Sequence, residues 1–331
     1  MHWHTPGYED LELSTQLIIK EALLRGHHVE VLDRSANFIR VQGNGHCEYL
    51  RQATRTAADN YVSALIMENK KVTKLVLKEA GIRVPEGKDY TDIDRVRKDY
   101  GHWKTRSAVV KPNSTNFGIA VAMLPAPIAE AAFLHAAEEA LKRDETILIE
   151  ELISAKEYRF LVIGDAVRGI LHRVPARVVG NGRQSLRELV QEKNTDPLRG
   201  KGYHSPLEKL RMGAEETAFL LAQDLSFDSI LEAGREVFLR RNSNISTGGD
   251  SLDFTEQVHA GYAELAVASA AAVGARICGV DMLIHDIQAA PTGDNYAVLE
   301  LNFNPALHIH DYPYQGRNRE VEKHVLDLLE L

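Results

Sequence analysis

The chain has 331 residues, with 39 Lys+Arg against 47 Asp+Glu, a formal net charge of −8, 44% apolar residues and two cysteines. That length supports a sizeable core and more than one lobe, and a disulfide scaffold is excluded because Cys47 and Cys278 can pair at most once. No run approaches the roughly 18 consecutive apolar residues of a membrane span, no basic stretch and apolar core open the chain, and net negative charge disfavours nucleic acid or anionic lipid, so the expectation is a cytoplasmic protein with small-molecule partners.

Leu13, Leu17 and Leu24, with Ile18 and Ala22, lie at helical spacing before Gly26, and VEVLD (29–33) reads as a buried strand. A single helical run is expected from Tyr61 to Ala80, ending at Gly81, so that residues 1–90 form a small α/β unit. SAVVK (107–111), PNSTNFG (112–118) and IAVAM (119–123) read as strand, loop and strand, an alanine-rich helix (127–142) leads to TILIEEL (146–152), and 91–155 forms a compact lobe. EYRFLVIGDAVRGIL (157–171) is two strands about a Gly-Asp turn, opening a larger lobe over 156–331. From His172 to Arg211 the chain is polar and basic around one short helix, a weakly packed excursion of the kind that makes a lid. Then come a strand EVFLR (236–240), a polar loop (241–251), a helix around 255–274, strands ICGVDMLI (277–284) and YAVLELN (296–302), and a terminal helix. Helices alternate with apolar strands and nothing repeats, which is the pattern of a layered α/β protein.

Four clusters carry chemistry. In LELN (299–302) the strand period puts Glu300 and Asn302 on one face, and Asp281 interrupts the apolar strand before it; three oxygen donors from two strands suit Mg2+, whereas the bland alternative is polar strand ends in solvent. Lys111 closes a strand before Asn113, Ser114, Thr115, Asn116, Phe117 and Gly118, a charge and a backbone cradle for polyphosphate, or simply a hairpin loop. This is not a Walker A loop, and no G-x-G-x-x-G follows a strand. Glu150, Glu151, Leu152 and Ile153 end an apolar strand at a lobe junction with Glu157 just beyond, fit for a purine and its ribose, or for a core strand with acidic ends. Arg240, Arg241, Asn242, Ser243 and Asn244, with Ser246, Thr247, Gly248 and Gly249, follow a strand end, where arginine can hold phosphoryl oxygens and glycine admits close backbone approach; a solvated loop is the alternative. His308 and His310 alternate in ALHIHDYPY and would face one way if extended, a weak zinc signal with no third ligand nearby.

In this order the clusters resemble an ATP-grasp carboxylate–amine ligase, closest to the glutathione synthetase module at the C-terminal end of bifunctional γ-glutamylcysteine synthetase/glutathione synthetase, with cyanophycin synthetase as a cousin. The segments that carry the likeness include EVLDRSANFIR (30–40), LIMENKKVTK (65–74), VVKPNSTNFG (109–118), RVPARVVGNGRQS (173–185), LRRNSNISTGGDS (239–251), ICGVDMLI (277–284) and LELNFNPALHIH (299–310). The resemblance implies an ATP-grasp fold with nucleotide held between two lobes after a small N-terminal unit. It implies ATP with two Mg2+ ions, for which Mn2+ could substitute. Lys74 and Lys111 would contact phosphates, Ser114 to Gly118 would form the triphosphate loop, Glu150 to Ile153 the adenine pocket, and Glu157 the ribose contact. Asp281, Glu300 and Asn302 would hold metal; Arg240 or Arg241 with Asn242 and Asn244 would steady the transferring phosphoryl group, and a lid around Arg173 and Arg199 would close over it.

The implied reaction phosphorylates a carboxylate and lets an amine displace phosphate, most simply γ-glutamylcysteine plus glycine. A stand-alone amino-acid or dipeptide ligase and a non-catalytic nucleotide-binding module are the alternatives, and a homodimer is left open. The chain departs from the family at Ala176-Arg177 and Gly180-Asn181-Gly182 in the lid, which bears on the donor pocket. It lacks the fused first ligase, so a complete protein of this length would need its donor made elsewhere.

Overall fold

The computed structural model describes residues 3–115 and 118–331. Helix α1 (Leu13–Leu24) buries Leu13, Leu17, Ile18 and Ala22, and a meander of β1 (His28–Asp33), β2 (Phe38–Gly43) and β3 (His46–Arg51) follows. VEVLD is not buried as expected: β1 is an edge strand with exposed ends, while β2, paired on both sides, buries Ile39 and Val41. The single helix expected from Tyr61 to Ala80 is two, α2 (Tyr61–Glu68) and α3 (Lys70–Glu79). Asn69 leaves helical dihedrals at φ −96° and ψ 97°, and its side chain accepts from Val72 N to cap α3.

The small lobe contains β4 (Gly87–Tyr90), α4 (Ile93–Trp103), β5 (Ala108–Pro112), β6 (Ala122–Leu124), α5 (Glu130–Leu141) and β7 (Ile147–Glu151). Its antiparallel sheet runs β4-β7-β5-β6, so the boundary expected at residue 90 moves back: Gly87–Tyr90 pairs with β7 and belongs here. Trp103, Val110, Phe133, Ile147 and Ile149 form the core of this lobe.

The large lobe opens with the hairpin β8 (Lys156–Ile163) and β9 (Ala166–Val174). The chain then leaves for a lid made of β10 (Arg177–Val179), α6 (Leu186–Lys193), β11 (Arg199–Gly200), β12 (Leu207–Glu208), α7 (Ala214–Leu221) and β13 (Glu236–Phe238). It returns through a 3-10 turn (Ile245–Thr247), β14 (Asp250–Asp253), α8 (Gly261–Ala272), β15 (Ile277–Ile284), β16 (Tyr296–Asn302), α9 (His308–Asp311) and α10 (Val321–Leu328). Five antiparallel strands run in the order β14-β9-β8-β15-β16.

The N-terminal segment is not a separate unit, because it grips this sheet from both sides. Met67 and Leu77 of α2 and α3 share a core with Tyr158, Phe160 and Val280, and Leu11, Ile18 and Ile39 pack with Leu161, Ile163 and Val325. The lid is not weakly packed either. Ala176, Val178, Leu186, Val190, Leu220 and Val237 form a core of its own that extends well past Arg211. Among the described residues no helix is long and apolar enough to cross a membrane.

Candidate active site

Small lobe, large lobe, lid and N-terminal segment enclose a cleft of about 1110 Å³. On its small-lobe side β5 and β7 are neighbours, with Val109 opposite Glu150 and Lys111 one step beyond. Lys111 Nζ lies 2.8 Å from Glu150 Oε2 and Lys74 Nζ, arriving from α3, lies 2.6 Å from Oε1. Burial opposes ionisation of Glu150, yet Lys111 and Lys74 hold its carboxyl below the usual range. Burial and the neighbouring Lys111 charge push Lys74 down to about 7, and its buried Nζ meets Glu150 without hydrogen-bond geometry. The cluster has two lysines and one carboxylate, so it is short of negative charge.

Lys74 stands behind the cleft wall, whereas Lys70, one helical turn earlier and not singled out from the sequence, lines it. Its ammonium donates to the carbonyls of Thr115 (2.5 Å) and Asn113 (3.3 Å), and burial lowers its pKa. Spacing of four from Lys74 was the available signal. Thr115 and Gly118 line the cleft, but the Ser114 amide and hydroxyl both turn to Asp144 Oδ2 at 2.6 Å. Asn116 and Phe117 lie outside the described residues. A Cβ on Gly118, whose φ is +74°, would sit 3.6 and 3.7 Å from the side-chain nitrogens of Asn242 and Asn244, so this loop meets the Arg-Asn loop across the cleft.

The hinge Glu150–Ile153 lines the cleft as expected. Glu151 accepts from Glu86 N at 3.1 Å with Arg83 at 3.5 Å, leaving Leu152 and Ile153 as the apolar wall. Glu157 also reaches the cleft, but its carboxylate is taken by Arg173 and the Ser243 hydroxyl, which stitch β8 and β9 to the Arg-Asn loop.

On the large-lobe side the register pairs Asp281 with Glu300 on one flank and with Arg159 on the other. Arg159 grips Asp281 bidentately at 2.6 and 2.5 Å, and Arg173 adds a contact at 3.0 Å. Burial alone would raise the Asp281 carboxyl, but the two arginines hold it below the usual range. Asn302 Nδ2 lies 3.2 Å from Asp281 and 3.5 Å from Glu300, so the three expected metal ligands do converge. Their exposure differs: Glu300 and Asn302 line the cleft, and Asp281 is fully buried behind them as the counter-ion of two arginines.

An ATP-grasp-like domain pattern matches residues 9–62. Over 98% of its length the chain is 53% identical to the glutathione biosynthesis bifunctional protein of Clostridium perfringens and 46% identical to that of Desulfotalea psychrophila. It superposes on a bifunctional glutathione synthetase from Pasteurella multocida with a TM-score of 0.76 and 40% identity, covering 99% of this chain and 46% of that one. The chain has the ATP-grasp fold. It spans 42% of the length of those two curated relatives.

Within the ATP-grasp frame, two arginines expected at the site are elsewhere. Arg240 is buried against Glu216 and Glu215 of α7, and of the pair only Arg241 lines the cleft, beside Met123 O at 3.4 Å. Arg199 is a buried clamp on Asp250 that also donates to the carbonyls of Glu208 (2.8 Å) and Gly248 (3.2 Å), so it shapes the lid rather than facing a ligand. Sequence cannot separate a ligand-facing arginine from one neutralised by a distant carboxylate. Asn242, Asn244 and Ser246 line the cleft. Thr247 donates to Asn242 Oδ1 at 2.9 Å from just behind, and Gly248 turns the chain at φ +95°. His308 and His310 are not extended: they sit in α9, with His308 Nδ1 2.8 Å from Ser14 Oγ. Among the described residues no three His, Cys, Asp or Glu gather as a metal group, which removes the zinc reading.

Proposed function

We propose that the chain is an ATP-dependent carboxylate–amine ligase that forms the peptide bond of a glutathione-type product, joining γ-glutamylcysteine to glycine with release of ADP and phosphate. The observation that carries this reading is one cleft with a cationic corner (Lys70, Lys111 and, behind them, Lys74) facing an acid–amide pair (Glu300 and Asn302). Bringing triphosphate, carboxylate and amine together requires such charge neutralisation and positioning, and little covalent chemistry from the protein.

The residues fit the groups they would hold. Lys70 and Lys111 line the cleft and, with Lys74 behind them, outnumber the one carboxylate Glu150, which suits an anion. Glu300 and Asn302 are hard oxygen donors suited to Mg2+, two ions of which, or Mn2+ in their place, would offset phosphate charge. Asp281 would contribute chiefly by fixing Arg159 and Arg173. Leu152 and Ile153 would receive the base, Arg241, Asn242 and Asn244 would steady the transferring phosphoryl group, and the lid would exclude water from the activated carboxylate. The free, unpaired Cys47 and Cys278 are in keeping with a reducing, cytoplasmic setting.

Phosphate release from ATP and Mg2+ is the test, measured across a panel of carboxylate donors and amine acceptors. The expected result is turnover dependent on both γ-glutamylcysteine and glycine. Turnover with another pair only would replace the substrates and keep the ligase. Glu300→Ala should abolish phosphate release while circular dichroism stays native, and near-normal release would overturn the metal assignment.

A further inference from the structure

The turn that follows β3 is strained where it meets the cleft. Gln52 and Ala53 are consecutive non-glycine residues with positive φ, 50° and 68°, and Arg51 and Arg55 bridge across them through two backbone hydrogen bonds, 2.9 and 3.1 Å. Backbone strain of this kind persists only where the surroundings hold it. Here Thr54 Oγ1 donates to Asn304 Oδ1 at 2.9 Å, Asn304 Nδ2 to Gln52 Oε1 at 3.3 Å, and Gln52 Nε2 to Glu12 Oε1 at 3.3 Å. The product of this bracing is the placement of Arg55. Its guanidinium lies 4.9 Å from the ring centre of Phe303, the residue after Asn302, and lines the cleft beside the acid–amide pair.

The large-lobe arginines at this wall, Arg159 and Arg173, are neutralised by Asp281. Arg55 makes no ion pair among the described residues, and its buried Nε has no hydrogen-bond partner. A planar guanidinium that stacks on an aromatic ring and keeps its donors free is built for a carboxylate. Glu12 and Glu68 also line the cleft, and both attract Arg55 against the larger effects of its burial and of the neighbouring Arg51 charge. A cation beside two carboxylates suits a zwitterion. That zwitterion is not the acceptor, because an attacking amine must be unprotonated and acidic neighbours favour the ammonium form.

We propose that Arg55, on the braced turn Gln52–Arg55, binds the free α-carboxylate of the donor headgroup while Glu12 and Glu68 face its α-ammonium, so that the site selects donors bearing an unreacted α-amino acid end. This rests on the ligase reading for the position of the reacting carboxylate. Arg55 is thus assigned to the donor and not to the nucleotide.

Calorimetric binding of γ-glutamylcysteine and of 4-aminobutanoyl-cysteine, which lacks only the α-carboxylate, tests it on the whole chain. Wild type should prefer the former by about 10- to 100-fold, the range of a charge-assisted hydrogen-bond pair. Arg55→Met should bring that preference to near unity and raise the KM for γ-glutamylcysteine while the KM for glycine stays put. Arg55→Lys, which keeps the charge and loses the fork, should fall between, and it stands in if Arg55→Met does not fold. A preference unchanged in these variants, or a loss read in glycine instead, overturns the proposal. If wild type neither binds nor turns over γ-glutamylcysteine, the substrate reading fails by itself. The subsite is then judged on free L-glutamate against 4-aminobutanoate, and equal binding of those two overturns it.

Discussion

Lys74 shows how a single side chain can hold a site ready for an anion. Its pKa of about 7 means that before nucleotide binds at pH 8 the amine is mostly neutral, because burial and Lys111 outweigh Glu150. Triphosphate arriving at Lys111 reverses that balance, raises the pKa and draws in a proton. ATP binding at pH 8 should therefore take up a substantial fraction of a proton, read as a dependence of the calorimetric binding enthalpy on the ionisation enthalpy of the buffer. Lys74→Met should remove that dependence, and a buffer-independent enthalpy in wild type would show that Lys74 does not sense the nucleotide. Asp281 poses the opposite problem, a carboxylate whose loss strands Arg159 and leaves Arg173 with Glu157 alone. Asp281→Asn should cost about 3–5 kcal/mol in denaturant unfolding, as expected for breaking a buried pair from one side, and a cost under about 1 kcal/mol would mean that Arg159 and Arg173 find other partners.

Elements that sequence alone revealed are those whose signal is local. β15 and β16 are apolar runs interrupted by Asp281 and Glu300; strand period alone puts Glu300 and Asn302 on one face with Asp281 able to lie opposite, and the register of the pair brings Asp281 and Glu300 together. The packing of the lid is not legible in the sequence because its core residues, from Ala176 to Leu239, are far apart along the chain and meet only when β10 pairs with β13. The break at Asn69 hid inside a helical pattern because an asparagine can stop one helix and cap the next without any change in apolar spacing. Arg199 and Arg240 read as ligand-binding for a related reason: their carboxylate partners, Asp250 and Glu216, lie on other elements.

Those partners make the lid testable as a unit. Asp250, fully buried, is gripped by Arg199 and by Lys193 at 2.7 Å, so it fastens β11 and α6 to the start of β14. Arg199→Ala should raise amide hydrogen exchange across residues 186–211 while β8 and β15 remain protected. Uniform exchange through both regions would mean that the lid has no stability of its own.

At the scale of the molecule, α9 is a wedge between the first helix and the large sheet, and its charge state links folding to pH. His308 and His310 are buried and pushed down to about 4 and about 3, chiefly by burial; Ser14 binds the His308 ring, and neither nitrogen of His310 has a partner among the described residues. Beside them burial and Glu322 raise the Asp311 carboxyl well above its usual range. The signs oppose. A histidine whose folded pKa lies below the unfolded value of about 6.5 leaves the folded state short of a proton, so its stability is intact above that pH and lost as pH falls toward 4. A carboxyl with a raised folded pKa contributes stability at low pH that is lost as pH rises through that pKa. Below pH 6 the two histidines outweigh the raised carboxyl beside them, two protons against one, so α9 should contribute a net fall in unfolding free energy of about 1 kcal/mol per pH unit. Denaturant titrations at pH 6.5, 5.5 and 4.5 should show this fall together with that of His172, which burial pushes down to about 4, and His310→Leu should make the slope shallower by about one proton. An unchanged slope in His310→Leu would place the acid sensitivity elsewhere. Because His308 lines the cleft and its ring rests on Ser14 of α1, acid that loosens α9 should also release the N-terminal segment from the cleft wall, so donor affinity and stability should decline together over the same pH range.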